Sequence, residues 1–153
     1  MKLRLVLAYD GSRFLGLATQ PHQNSVQDRL FEALKHLGIT QRPLFASRTD
    51  KGVHSLANVA SVECGEHFSD LEYLRARINH HAKPFIYVRE LTKMSKSWQV
   101  RFDVKRREYR YIFNHSSFSP LLSGYYHFCP KFDIKLANEA LKLFVGKQDL
   151  KFF

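Results

Sequence analysis

Residues 2–9 read Lys-Leu-Arg-Leu-Val-Leu-Ala-Tyr, and this alternation decides the fold. Leu3, Leu5, Leu7 and Tyr9 occupy every second position, so they share one face of an extended chain. The residues between them include two cations, so the pattern predicts a strand with one buried face and one wetter face. Turn-forming residues follow at 10–12, and we expect the strand to end there.

Outward from this strand, helical and strand patterns alternate as far as residue 91. Ser25 is a good N-cap for a helix that reaches Leu37, and Gly38 is a good stop. The order is β-α-β-β-α-β, which predicts an α+β, ferredoxin-like antiparallel sheet with helices on one face. The remaining predicted elements are strands at 43–47, 57–63 and 84–91, and a second helix that Ser69 caps.

The rest of the chain predicts the start of a second α/β half. Residues 108–114 alternate like a strand, and Asp133 begins a helix that ends before Gly146. A lone strand and helix cannot build their own sheet and core, so they extend the first unit or belong to an incomplete one. We therefore predict a ferredoxin-like domain at 1–96 and an incomplete second half at 97–153.

Composition narrows the function classes. With 44% hydrophobic residues in 153, the chain can form a packed core. The 24 basic residues exceed the 14 acidic ones, and the formal charge of +10 favours a polyanion, nucleic acid before membrane, with plain solubility as the alternative. Cys64 and Cys129 form no CxxC pattern, so neither a disulfide framework nor a zinc site has support. The N-terminus has no long apolar run, and we expect a soluble, cytoplasmic protein.

One stretch, residues 47–54, reads Ser-Arg-Thr-Asp-Lys-Gly-Val-His. If the chain is extended there, Arg48 and Asp50 face the same side. A carboxylate held by a guanidinium stays ionised and oriented, which suits a nucleophile or general base. Gly52 lets the chain turn. By spacing alone, however, a surface ion pair beside a turn is the commoner explanation.

A second stretch, residues 101–110, holds five basic residues among aromatic ones. Cations neutralise phosphates and rings stack on unpaired bases, so this pattern suits a nucleic-acid surface. A solvated, charged strand beside core tyrosines would give the same pattern. The two interpretations stay open on these residues alone.

Four motifs, in order, resemble the tRNA pseudouridine synthase A family. Residues 47–54 are similar to its Gly-Arg-Thr-Asp-Ala-Gly-Val-His signature. The other three stretches are residues 9–16 with Ser25-Val26-Gln27, Arg101-Phe102 with residues 106–111, and residues 146–153. The resemblance therefore covers essentially the whole chain.

The resemblance implies an isomerase that converts uridine to pseudouridine in tRNA, typically at positions 38–40 of the anticodon arm, without cofactor or metal. It implies that Asp50 is the nucleophile, that Arg48 orients it and that Tyr109 stacks on the target base. Attack at the sugar and attack at the base both stay open. The resemblance also implies tRNA as partner and a homodimer for the full-length protein. We expect six cations to bind RNA, namely Lys51, Arg101, Lys105, Arg106, Arg107 and Arg110.

The chain departs from the family in a few places. Ser47 stands where the family usually has glycine, and Lys51 where it has alanine. Family members also continue with further strands beyond the stretch that residues 146–153 resemble. We therefore expect the chain to be the N-terminal portion of a longer enzyme, or a truncated product that cannot close its cleft. A non-catalytic RNA-binding module is the alternative function.

Overall fold

The computed structural model describes residues 1–21 and 24–147. The chain divides into two compact units, Met1–Glu108 and Tyr109–Phe153. The domain boundary expected after residue 96 concerns independent folding and stays a prediction. Residues 148–153, which carry most of the last motif of the resemblance, lie outside the described residues.

The first unit contains a four-stranded antiparallel sheet in the order β2-β3-β1-β4. The predicted β-α-β-β-α-β order is thereby confirmed. Every strand neighbours one that runs the other way, as hairpin and split βαβ connections require. The elements are β1 (Lys2–Tyr9), α1 (Val26–Lys35), β2 (Leu44–Phe45), β3 (Ser55–Glu63), α2 (Leu71–Ala82) and β4 (Ile86–Met94), with a short 3-10 helix at Gly11–Arg13.

The predicted buried face of β1 forms the centre of the core. Leu3, Leu5 and Leu7 are completely buried, and Tyr9 is 4% exposed. Both helices cover this face, and their buried side chains include Leu30, Leu34, Leu74 and Ile78. Since full burial of such a side chain contributes about 1.5–3 kcal/mol, this layer is the main source of stability in the unit.

The helix starts follow local capping, with one correction. The Ser25 hydroxyl accepts the N–H of Asp28 at 3.0 Å, as expected of the predicted N-cap. The prediction that Ser69 caps the second helix is wrong. Asp70 is the cap, because its carboxylate accepts the N–H of Tyr73 at 2.9 Å and the helix begins only at Leu71.

The edge strand β4 is partly blocked by a buried amide. Asn79 of α2 is 5% exposed, and its Nδ2 donates to the carbonyl oxygen of Val88 at 2.9 Å. The Val88 N–H donates in return to Asn79 Oδ1 at 2.6 Å. Both outward backbone groups of Val88 are therefore satisfied, which removes the middle of this edge as a template for another strand.

The second unit contains β5 (Phe113–Asn114), β6 (His127–Phe128) and α3 (Ile134–Lys142). The prediction of a strand over 108–114 is wrong except at its last two residues. A strand needs a hydrogen-bonded neighbour, and β5 pairs with β6, in parallel, over two residues. The helix predicted to begin at Asp133 is α3, which Asp133 caps, and α3 buries none of its residues. Within the described part of the chain, no helix is long and apolar enough to cross a membrane.

Candidate active site

The motif at 47–54 forms the connection between β2 and β3. The Val53 N–H donates to the Asp50 carbonyl oxygen at 3.2 Å, which closes a turn. Gly52 is the third residue of this turn and has φ +82°, a conformation that favours glycine. Asp50 and Arg48 are exposed, and Thr49 between them is half-buried. The carboxylate is thus presented to solvent at the start of a tight turn.

A buried hydrogen-bond network holds the residue before Asp50. The Asn58 Nδ2 donates to the Tyr9 hydroxyl oxygen at 3.1 Å and to the Ser47 carbonyl oxygen at 3.1 Å. The Tyr9 and Thr49 hydroxyls are 2.9 Å apart. Because the Tyr9 oxygen already accepts from Asn58, its own proton can be donated to Thr49. Asn58 is 8% exposed, so this network lies in the protein interior and fixes the backbone on one side of Asp50.

Two glycines let the loop after β1 pack directly on the loop at residues 47–54, which we call the Asp50 loop. A Cβ on Gly11 would lie 2.0 Å from the Val53 carbonyl oxygen, so no larger residue fits there. Gly16 has φ +110°, and a Cβ on it would lie 3.3 Å from the Thr49 carbonyl oxygen. The next residue, Leu17, donates its N–H to that oxygen at 2.9 Å. The backbone beside Asp50 is therefore held from a second direction.

The far end of the same loop is held by a pair of polar side chains. His54 Nδ1 lies 3.1 Å from Asp10 Oδ1. Asp10 also accepts the N–H and the hydroxyl of Ser12, and its own N–H donates to the Phe85 carbonyl oxygen at 3.0 Å. These contacts tie the turn at 50–53 to the ends of β1 and β4.

The expected ion pair between Arg48 and Asp50 is not formed among the described residues. Among the ion pairs within 4.0 Å that the described residues form, none joins Arg48 to Asp50. Both side chains are exposed, and Lys51 is exposed beside them. The role of Arg48 in orienting the carboxylate therefore stays a prediction.

The basic segment, residues 101–108, is joined to the residues just before Asp50. Arg107 Nε donates to Ser47 Oγ at 2.7 Å, and its Nη2 donates to the Ala46 carbonyl oxygen at 3.2 Å. Arg106 pairs within the segment with Glu108 at 3.1 Å. The other expected RNA-binding cations of this unit, Arg101, Lys105 and Lys51, are also exposed. Tyr109, at 67% exposure, and the exposed Arg110 begin the second unit.

Comparison with known proteins agrees with the resemblance. Over all 153 residues the chain is 59% identical to tRNA pseudouridine synthase A of Campylobacter jejuni subsp. doylei and 58% identical to that of Campylobacter jejuni strain RM1221. The chain is homologous to tRNA pseudouridine synthase A along its whole length. The Helicobacter pylori strain P12 protein of the same name is 37% identical, over 98% of the chain. No family model matches.

The chain spans 64% of the length of the Campylobacter synthases and 61% of the Helicobacter synthase. The identity to the Campylobacter synthases over all 153 residues confirms the resemblance inferred from four short motifs.

The sequence does not reveal which residues hold the loop at 47–54 in place. The alternation predicts Tyr9 only as part of the apolar face of β1, and the strand predicted at 57–63 gives Asn58 no particular role. One signal was available, since a tyrosine on a buried face needs a partner for its hydroxyl. Asn58 is the matching polar residue on an inward-facing position of β3. The contact of Arg107 with Ser47 has no counterpart in local sequence, because 60 residues separate the two.

Proposed function

We propose that this chain carries the nucleophile of an enzyme that isomerises uridine to pseudouridine in tRNA. The name of its homologues supports this function, and those homologues are longer than the chain. The observation that carries the proposal is the presentation of Asp50. Its carboxylate is exposed, while the backbone beside it is fixed by the Tyr9–Thr49 hydrogen bond and by the turn at Gly52. A reactive group on a rigid support meets the main requirement for positional catalysis.

The reaction rearranges bonds within one nucleoside. The bond between the sugar and N1 of uracil breaks, and a bond between the same sugar carbon and C5 forms. C5 loses a proton and N1 gains one, so there is no net oxidation and the balance requires no co-reactant. We propose that the Asp50 carboxylate attacks the nucleoside, at the sugar or at the base, and leaves unchanged after the base has rotated and rejoined.

Arg48 and Tyr109 have supporting roles in this proposal. Arg48 pairs with Asp50 once RNA is bound, since catalytic contacts commonly tighten only in the complex. Tyr109 offers an exposed ring on which the target base stacks. The uridine must leave its own stack to reach Asp50, and an aromatic platform offsets part of that cost.

The remaining proposals concern the substrate and the setting of the whole protein. Exposed cations neutralise tRNA phosphates, and the set includes Lys51, Arg101, Lys105, Arg106 and Arg110. The resemblance favours uridines 38–40 of the anticodon arm as targets. It also favours a homodimer and a cytoplasmic location. Asn79 already hydrogen-bonds both outward backbone groups of Val88. A second copy would therefore not add a strand at the middle of the β4 edge.

The direct test is a single substitution at Asp50. The full 153-residue chain is incubated with unmodified tRNA, and pseudouridine is mapped chemically. We expect Asp50→Asn to lower the single-turnover rate by at least about a thousandfold, because the amide has no nucleophilic charge. We expect its affinity for tRNA to change less than about twofold, since Asn occupies the same space and phosphate contacts lie elsewhere.

Glu32→Gln is the matched control, because Glu32 is an exposed acid of α1 paired with Lys35 at 2.6 Å. It should leave both rate and affinity unchanged. If the unaltered chain binds tRNA but forms no product at any concentration, the chain acts as an RNA-binding module and the catalytic proposal fails for it. Product that persists in Asp50→Asn would instead remove Asp50 from the role of nucleophile.

A further inference from the structure

Arg107 directs its guanidinium at the protein. Its Nε donates to Ser47 Oγ at 2.7 Å, and its Nη2 donates to the Ala46 carbonyl oxygen at 3.2 Å. These two nitrogens lie on the same edge of the planar guanidinium. Two parallel bonds from one edge fix the orientation of the plane, which a single contact does not.

The acceptors of this fork are part of a rigid support. Ala46 donates its own N–H to the Val59 carbonyl oxygen at 2.8 Å, which continues the pairing of β2 with β3. The Ser47 carbonyl oxygen accepts from the buried Asn58. Ser47 precedes Asp50 by three residues, so the fork ends on the same piece of backbone that presents the carboxylate.

The segment that carries Arg107 has little backbone support of its own. Within the described ranges 1–21 and 24–147, residues 104–107 make no backbone–backbone hydrogen bond with one another or with the rest. Arg106 pairs with Glu108, which lies in the same segment. The position of these residues relative to β2 therefore depends on side-chain contacts, and the Arg107 fork supplies two of them.

We propose that Arg107 is a positioning residue that tethers the basic segment to the Asp50 loop through Ser47. Lys105 and Arg106 then present their charges at a fixed place relative to Asp50, while Arg107 holds the segment and contributes little to phosphate binding. The inference rests on the proposed function, because it assigns two tasks within one RNA-binding surface. It divides the cations into those that bind and one that positions.

The tether itself is tested without RNA. Trypsin cleaves after Lys105, Arg106 and Arg107, so native cleavage reports how often the segment detaches. Ser47→Ala removes one acceptor and leaves the cleaved sequence unaltered. We expect cleavage there to become about fivefold faster, the factor that corresponds to one lost hydrogen bond. Ser69→Ala, in the loop before α2, is the matched control and should leave the rate unchanged.

The division of tasks is tested with RNA. Affinity for tRNA falls as salt rises, so the slope of log affinity against log salt is negative. We expect Arg106→Ala to reduce the magnitude of this slope by about 0.7–0.9, as the loss of one phosphate contact requires. Arg107→Ala should change that slope by less than about 0.3 but lower the single-turnover rate about tenfold. Arg107→Lys keeps the charge and loses the fork, so it should lower the rate to a similar extent. A charge-based role would instead be rescued by lysine.

Either of two results would overturn the inference. Unchanged cleavage in Ser47→Ala would show that Ser47 does not hold the segment. A slope in Arg107→Ala that falls as far as in Arg106→Ala would make Arg107 a phosphate ligand like its neighbours. If the unaltered chain neither binds nor modifies tRNA, the proposed function fails, whereas the cleavage comparison still decides whether the tether exists.

Discussion

α1 and α3 are helices of similar length with similar amphipathic patterns, yet α1 is buried and α3 is not. α1 buries Leu30 and Leu34 against the sheet, and α3 leaves Leu141 59% exposed. The first unit presents four paired strands with a continuous apolar face, whereas β5 and β6 pair over two residues each. An amphipathic pattern therefore specifies a helix and its apolar stripe, and burial of that stripe needs a partner surface as well.

The same contrast holds for polar side chains. Tyr9 is buried and its hydroxyl is shared between Asn58 and Thr49, while Tyr111 of the second unit is 85% exposed. The residues that fix the backbone beside Asp50 thus belong to the densely packed unit. Orientation of a carboxylate requires fixed neighbours. Such neighbours occur where burial in the core already offsets the entropy cost of ordering them.

The contrast between the buried apolar stripe of α1 and the exposed stripe of α3 is tested most strongly by matched leucine truncations. We expect Leu34→Ala to lower the free energy of unfolding by about 3 kcal/mol, because a buried leucine leaves a cavity in the sheet–helix core. We expect Leu141→Ala to change it by less than about 0.5 kcal/mol, as at other exposed sites. Urea unfolding followed by circular dichroism measures both. Equal costs would break the comparison and would mean that the stripe of α3 is covered in solution.

A matched pair of tyrosine substitutions examines the polar contrast. Tyr9→Phe keeps the ring but leaves Asn58 and Thr49 without their partner, so we expect a loss of about 2 kcal/mol in unfolding free energy. Tyr111→Phe should cost less than about 0.5 kcal/mol because its hydroxyl is exposed. If the network also positions Asp50, Tyr9→Phe should slow single-turnover modification of tRNA as well. An unaltered rate would limit the network to a structural role.

Local pattern was sufficient for the order of the elements in the first unit, but the resemblance of residues 47–54 to a family signature was needed to single out the loop that carries Asp50. The alternation at 2–9 predicted β1 to the residue, whereas the spacing of Arg48 and Asp50 alone favoured a surface ion pair. Contacts between distant residues could not be predicted this way, because the Tyr9–Thr49 and Arg107–Ser47 bonds depend on the tertiary arrangement of strands. The false strand at 108–114 has the complementary cause. Alternation shows what a strand would bury, but a strand forms only beside a partner.

The smallest expected effect concerns a buried acid of α1. Asp28 accepts hydrogen bonds from Ser25, Thr19 and Arg42. Burial raises the pKa of Asp28, but these bonds and the charge of Arg42 outweigh it, so the pKa lies below the ordinary value. A depressed folded pKa contributes stability above the unfolded pKa, near 3.9, and loses it as pH falls through the folded value. We expect Asp28→Asn to cost about 1 kcal/mol at pH 7.

Asp133, the N-cap of α3, gives the matched control for this prediction. Asp133 is exposed and caps α3 through the N–H groups of Lys135 and Leu136, a task that asparagine performs nearly as well. Unfolding free energies from pH 7 to pH 3 should therefore converge for Asp28→Asn and the unaltered chain, whereas Asp133→Asn should cost less than about 0.5 kcal/mol at pH 7. A cost in Asp28→Asn that does not shrink at low pH would show that the ionised carboxylate is not what stabilises α1. The difference between the helices would then rest on apolar burial alone.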